Sequence, residues 1–437
     1  MSALREHFLL SADHVHLNHG SFGATPKAVL AAQSAAREAI ELHPDAYYRS
    51  TSRAAFADAG GGELASGRAS RVAARQLAAE LFDGEADRLA FVVNATTAAN
   101  AAVISLPDLK PDECVVEFSP LIYGGCHAAF ARQAERCGAE LVSIKVSTLA
   151  PSVDEFVTPI QEILASPDAP RIRMVLLDHI VSTTAEVLPV ADIVPALAAA
   201  RLASGGDFHI VVDGAHVPGQ LPLSLREMTK LGVDVYIGNL HKWMFAPKGA
   251  AFVYAASDAG KALMRPPIAS HATGARLGFV PEFDDQGTRD DTAWLVLPAA
   301  LAFIDTVCGG LEAMRASQAA ILAAGVDMLT TAWGTSSPTS LDPAAGALAI
   351  VPLPPPPAFL SPPSNHHAWA LSAHLHRTAG ITAFTVVLDG AYYVRISAQI
   401  YNTPSDYRTL ADAITAVFSA ASPEAIGYED MIPYSDW

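Results

Sequence analysis

Cysteine is scarce. The 437 residues hold four, Cys114, Cys126, Cys137 and Cys308, with no CxxC pair among them. So few thiols in so long a chain exclude a disulfide framework and fit buried, reduced side chains. Charge is sparse too, at 17% of residues, and 28 Lys and Arg against 45 Asp and Glu leave a net charge of -17. With no Lys- or Arg-rich run, neither nucleic acid nor an anionic membrane surface is an expected partner. Long hydrophobic runs are missing. The longest uncharged apolar stretch, TAWLVLPAALAFI (292–304), is too short to span a bilayer. The N-terminal MSALREHFLLSADH lacks the apolar core of a signal peptide. A soluble, cytoplasmic protein is the expectation.

What is present is apolar mass. Hydrophobic residues make up 51% of the chain, enough for a large core and more than one compact unit. From Leu89 to Tyr254, short runs rich in Val, Ile and Leu alternate with Ala-rich stretches of helical period. The runs are LAFVVN, ECVVEF, ELVSIKV, RIRMVLLD, FHIVVDG, DVYIGN and AAFVYA. Strands apolar on both faces, separated by helix-length segments, predict an α/β fold with a mainly parallel seven-stranded sheet between helices. The part after about residue 290 differs. It reads as one long helix over 290–307, then GALAIVPLP, FTVVLDGAYYVRISAQIY and a last amphipathic helix, together a smaller α+β domain. The proline-rich 352–363 is expected to be a stiff surface loop. His366, His367, His374 and His376 lack helical metal-site spacing and a neighbouring acid, so a solvated helix face is expected and no metal.

In an open α/β sheet, ligands bind beyond the carboxyl ends of the strands. After four of the runs come NATTAAN, DHIVSTT, DGAHVPG and GNLHKW, all polar. The last places Lys242 between a histidine and a tryptophan, at the edge of a buried strand, where lysine is rare. Asp213 ends another buried run, where a carboxylate is costly unless partnered. An ion pair between them is one explanation. Pyridoxal phosphate is another: it binds covalently to a lysine amine and needs a carboxylate against its ring nitrogen. It also needs a phosphate cradle, and Thr96 and Thr97 open a helix with free N–H groups.

These motifs, in this order with LNHGSFGATP (17–26), QGTRDDTAW (286–294) and YYVRIS (392–397), resemble fold-type I pyridoxal-phosphate enzymes. The resemblance is to the class V aminotransferase-like family, in its isopenicillin N epimerase-like and ergothioneine C–S lyase branch, and it covers nearly the whole chain. It implies an N-terminal arm (1–30) over the active site, a large cofactor-binding domain (31–290) and a small domain (291–437). It implies that Lys242 carries the cofactor, Asp213 faces the ring nitrogen and Tyr123 stacks on the ring. Ala215 and His216 would lie beneath the ring, with Asp178, His179 and Ser182 along its edge. Ala95, Thr96, Thr97 and His241 would take the phosphate, completed by Gly287 and Thr288 of a second subunit in a homodimer. Arg395 would grip the substrate carboxylate, with Asn18, His19 and Gly20 adding contacts.

The cofactor leaves the reaction open. With Lys242 as base, and Tyr123 or His216 as further catalytic candidates, β-elimination from an S-substituted cysteine, such as a hercynylcysteine sulfoxide-like substrate, is the first expectation. Epimerisation, transamination and carbon–carbon bond formation are the alternatives, with an inactive binding relative as a reading of another class. Desulfuration onto a protein thiol is not expected, because no cysteine follows Cys308.

Overall fold

A computed structural model describes residues 3–49, 67–106, 108–274, 278–339 and 346–424. All seven apolar runs are strands of one sheet: β1 (Leu89–Val92), β2 (Glu113–Ser119), β3 (Glu140–Lys145), β4 (Arg171–Asp178), β5 (His209–Asp213), β6 (Val235–Asn239) and β7 (Ala251–Ala255). Their spatial order is β1-β7-β6-β5-β4-β2-β3. Neighbours from β6 to β3 pair in parallel, and β7 alone runs against its neighbours.

Chain length explains the exception. A parallel return needs a crossover of a dozen residues or more, usually a helix. Helices α1 (Ala95–Ile104) and α2 (Gly124–Cys137), with Val153–Ala165, Val190–Ser204 and Leu225–Leu231, supply such material between the earlier strands. Between β6 and β7 there is only the tight turn Leu240–Ala250, which carries Lys242. Large apolar clusters fill both faces of the sheet.

The smaller unit is built on an antiparallel sheet of β8 (Leu348–Pro352), β9 (Phe384–Leu388) and β10 (Ala391–Ser397), with β10 central. Asp389 and Gly390 join β9 to β10 with φ of +48° and +79°, the conformation a two-residue Asp-Gly hairpin turn requires. The chain's start belongs here too: Val15–His16 pairs with Ile381–Thr382. It then dips through the turn His19–Phe22 toward Lys242.

Three expectations change. The helix foreseen over 290–307 is two, Thr292–Leu295 and Leu297–Cys308, broken at Val296. Pro298 cannot donate to the carbonyl four residues back and clashes with it, so it is tolerated only in the first turn of the second helix. The proline-rich loop is pinned, since Leu353 and Leu360 are buried in the small-domain core. His374 turns into the protein rather than to solvent, with Nε2 3.2 Å from the Thr378 hydroxyl. Among the described residues, no single helix is long and apolar enough to cross a membrane.

Gly23 ends the His19–Phe22 turn at φ +70°, where a Cβ would lie 2.1 Å from the His241 carbonyl oxygen. Gly23→Ala should therefore lose at least about 2 kcal/mol of stability, through strained backbone and lost contact with the lysine turn. Thermal unfolding measures this, and an unchanged midpoint would refute the close approach.

Candidate active site

The Lys242 turn is fixed from three sides. The Leu240 and His241 N–H groups both donate to the Ala250 carbonyl, at 2.9 and 3.0 Å. His241 Nδ1 donates to the same oxygen at 2.8 Å, which leaves Nε2 for the cavity. Trp243, Met244 and Phe245 are wholly buried. From the arm, His19 Nε2 donates to the Lys242 carbonyl at 2.8 Å, while Nδ1 accepts from the Tyr401 hydroxyl at 2.9 Å. His19 therefore ties the turn, through Nε2, to Tyr401, through Nδ1, and does not line the cavity. Gly20 is likewise buried: a Cβ there would lie 2.9 Å from Leu348 and 3.2 Å from Trp243. Its contribution is close backbone packing.

Beyond the strand ends lies a cavity of about 240 Å³. It is lined by Ala95, Thr96, Tyr123, Asp178, Ser182, Asp213, Ala215, His216, His241 and Lys242, all foreseen from sequence, and by Ser21, Phe22, Asn94, Ile180 and Asn239, which were not. All five of the latter lie inside the quoted motifs; only the fold shows which way each points. Asn239 has a clear task, since its Oδ1 accepts the Ala95 N–H at 3.0 Å and ties the start of α1 to β6. Asn94 caps the same helix, accepting from the Thr97 N–H and hydroxyl at 2.8 and 2.9 Å. Thr97 is thereby spent on the cap and lies outside the cavity wall, leaving Thr96 to face inward.

Lys242 Nζ sits 2.9 Å from His216 Nε2. Burial lowers the lysine pKa to about 8, with Asp213 opposing the shift and Arg395 adding to it. Burial, with the Lys242 and Arg395 charges, also holds His216 well below the ordinary histidine range, so it is a neutral acceptor for the amine. Asp213 is buried, its Oδ1 accepting from the Ala215 N–H at 2.9 Å and its Oδ2 from Cys126 Sγ at 3.2 Å. Asp178 lies beside it in the strand register, with one oxygen buried and unpartnered. His179 turns away beneath the sheet end, 3.0 Å from the Tyr236 hydroxyl.

Arg395, on β10, reaches over from the small domain. Its guanidinium donates to Asn18 Oδ1 at 2.7 Å, to the Ser21 hydroxyl at 2.8 Å and to the Ser182 carbonyl. It also lies 4.9 Å above the Phe384 ring. Every acceptor is neutral, its Nε has none, and the group is 4% exposed. Burial depresses its pKa to about 10. A buried cation without an acid partner is costly, and a bound carboxylate would supply one. Asn18 thus orients the arginine. Gly287 and Thr288 are exposed and do not line the cavity of their own chain.

A lysine pKa near 8 gives an amine that loses its charge as pH rises through that value. Acylation of Lys242 by a small anhydride, followed by mass spectrometry, should reach half-maximum there, against about 10.4 for an ordinary lysine. Asp213→Asn should move the half-point lower. An onset above pH 10 would refute the desolvated amine.

The sequence profile of the class-V aminotransferases matches residues 49–351. L-cysteine desulfhydrase of Arabidopsis thaliana is 28% identical over 424 residues, covering 91% of this chain and 87% of the plant protein. Isopenicillin N epimerase of Streptomyces clavuligerus is 29% identical over 362 residues, covering 79% of this chain and 83% of that protein. Among solved structures, a mutant of C-DES with glycine covalently linked to its PLP cofactor has a TM-score of 0.71 at 20% identity, covering 94% of this chain and 98% of its own. That last likeness is one of fold. The profile match takes in all seven strands of the large sheet and the turn that holds Lys242, and the chain belongs to the class-V aminotransferase family.

Proposed function

We propose that this protein is a pyridoxal-phosphate-dependent C–S lyase, removing sulfur from cysteine or an S-substituted cysteine by β-elimination. A substrate resembling hercynylcysteine sulfoxide falls within this class. One observation carries the reading: a desolvated lysine amine and two buried carboxylates line one cavity, and an arginine without an acid partner is hydrogen-bonded to Ser21 and Ser182 of its wall. The family is one of pyridoxal-phosphate enzymes, and the desulfhydrase relatives support a cysteine-type substrate.

The residues fit the cofactor. Lys242 would hold it covalently, Asp213 would face its ring nitrogen, and Thr96 with His241 would take its phosphate. Burial holds the His241 pKa at about 4 and its Nδ1–H is given to Ala250, so its cavity-facing Nε2 would accept a hydrogen bond from a protonated phosphate oxygen. When bound, the cofactor supplies an electron sink for bonds broken at the amino acid's α-carbon. Arg395 binds the substrate carboxylate through its planar fork, oriented by Asn18 and Ser21. Lys242 Nζ removes the α-proton, and His216, neutral beside it, holds the amine in place. The Cβ–S bond then breaks with its electron pair leaving on sulfur. Tyr123, at the cavity wall and 45% exposed, gives the sulfur its proton. The released enamine hydrolyses to pyruvate and ammonia. None of the four cysteines lines the cavity, which supports release of sulfur rather than its transfer to a protein thiol. On this reading the exposed Gly287–Thr288 turn completes the phosphate site of a second copy, giving a homodimer.

Protein supplied with pyridoxal phosphate should show a visible absorption band that Lys242→Ala abolishes, and should form pyruvate and ammonia from cysteine or S-substituted cysteines. Solvent deuterium entering Cα without pyruvate would replace elimination by epimerisation, while a colourless protein would defeat the cofactor assignment. Arg395→Ala should raise KM roughly 10- to 100-fold, the loss of charge-assisted hydrogen bonds, with partial recovery in Arg395→Lys. An unchanged KM would remove Arg395 from the carboxylate site.

A further inference from the structure

Asp178 and Asp213 end adjacent strands as register partners, and both are buried. Two carboxylates so placed do not both ionise readily. Which one holds the charge matters, because on the reading above only Asp213 faces the ring nitrogen. Each accepts one backbone donor, Asp213 from Ala215 and Asp178 from Tyr123. The backbone therefore does not choose between them. The difference lies in α2, whose first turn brings the wholly buried Cys126 to Asp213, with Sγ 3.2 Å from Oδ2. Asp178 Oδ1 has no partner at all.

We propose that Cys126 is a positioning residue: its S–H hydrogen bond to Oδ2 holds the negative charge on Asp213 rather than on Asp178. The thiol suits the task. Burial, with both carboxylates adding, pushes its pKa well up, so it stays a donor and adds no charge of its own. The surrounding groups are consistent with this. Lys242, from the turn after β6, favours ionisation of both carboxylates, and Glu117, on β2, opposes it at Asp178. Tyr236, on β6, and His179 are both kept neutral by burial, and the His216 ring is turned to Lys242. Cys126 is thus the side-chain donor that separates the pair.

The test compares Cys126→Val, which keeps bulk and donates nothing, with Cys126→Ser, which donates. In the holoenzyme, the pH titration of the visible cofactor band and the dissociation constant for pyridoxal phosphate are measured with thermal unfolding. Valine should weaken cofactor binding roughly fivefold to tenfold, the scale of one hydrogen bond, and displace the pH profile. Serine should keep both close to those of the unmodified protein. Cys126→Ala serves if valine disturbs the helix. Serine and valine titrating alike, whether unchanged or equally weakened, would overturn the role of Cys126. Absence of a visible band in the unmodified protein would instead overturn the cofactor reading on which it rests.

Discussion

Everything in this site depends on holding one amine away from water without letting it move. Lys242 is placed at the end of a buried strand, where a permanent ammonium is costly. The structure meets the constraint in two ways. Burial makes the neutral amine accessible near physiological pH, and a neutral imidazole gives it a partner. The turn itself is fastened at both ends to antiparallel strands and in the middle to His19. A flexible lysine on a loose loop would satisfy neither need.

The large sheet was legible because its strands are apolar on both faces, a signal that survives without tertiary information. The strand-end chemistry of Asp213 and Lys242 was legible for the same reason: a costly residue in an apolar setting calls for an explanation. What was not legible depended on direction. Asn18 and His19 are neighbours, yet one contacts the arginine and the other braces the lysine turn. Thr96 and Thr97 are equivalent on paper, and only the cap geometry of Asn94 sends one inward and the other away. The break at Val296 was readable from Pro298, but the apolar periodicity on either side obscured it. Asn239 was hidden because its partner, the Ala95 N–H, is 144 positions away.

The end proposed to take the substrate is assembled differently from the end proposed to take the cofactor. The lysine, the carboxylates and the helix start all belong to one rigid sheet and its connections. Arg395 belongs to the small domain, and its acceptors come from the arm and from the loop after β4. Three separate stretches of chain thus share one guanidinium. A substrate carboxylate taking its place among these neutral acceptors would draw the three together, so recognition and ordering are the same event.

The return from β6 to β7 has a consequence for how this fold can change. A turn whose two ends are hydrogen-bonded into neighbouring strands has a set length. Substitutions within it can be absorbed, whereas an inserted residue would shift the lysine out of line with Asp213. Substitutions that alter what the cavity accepts would then fall on its wall, at Ser21, Phe22, Tyr123 and Ile180. On the proposed reading, the amine keeps its place while the wall that faces it would select the substrate.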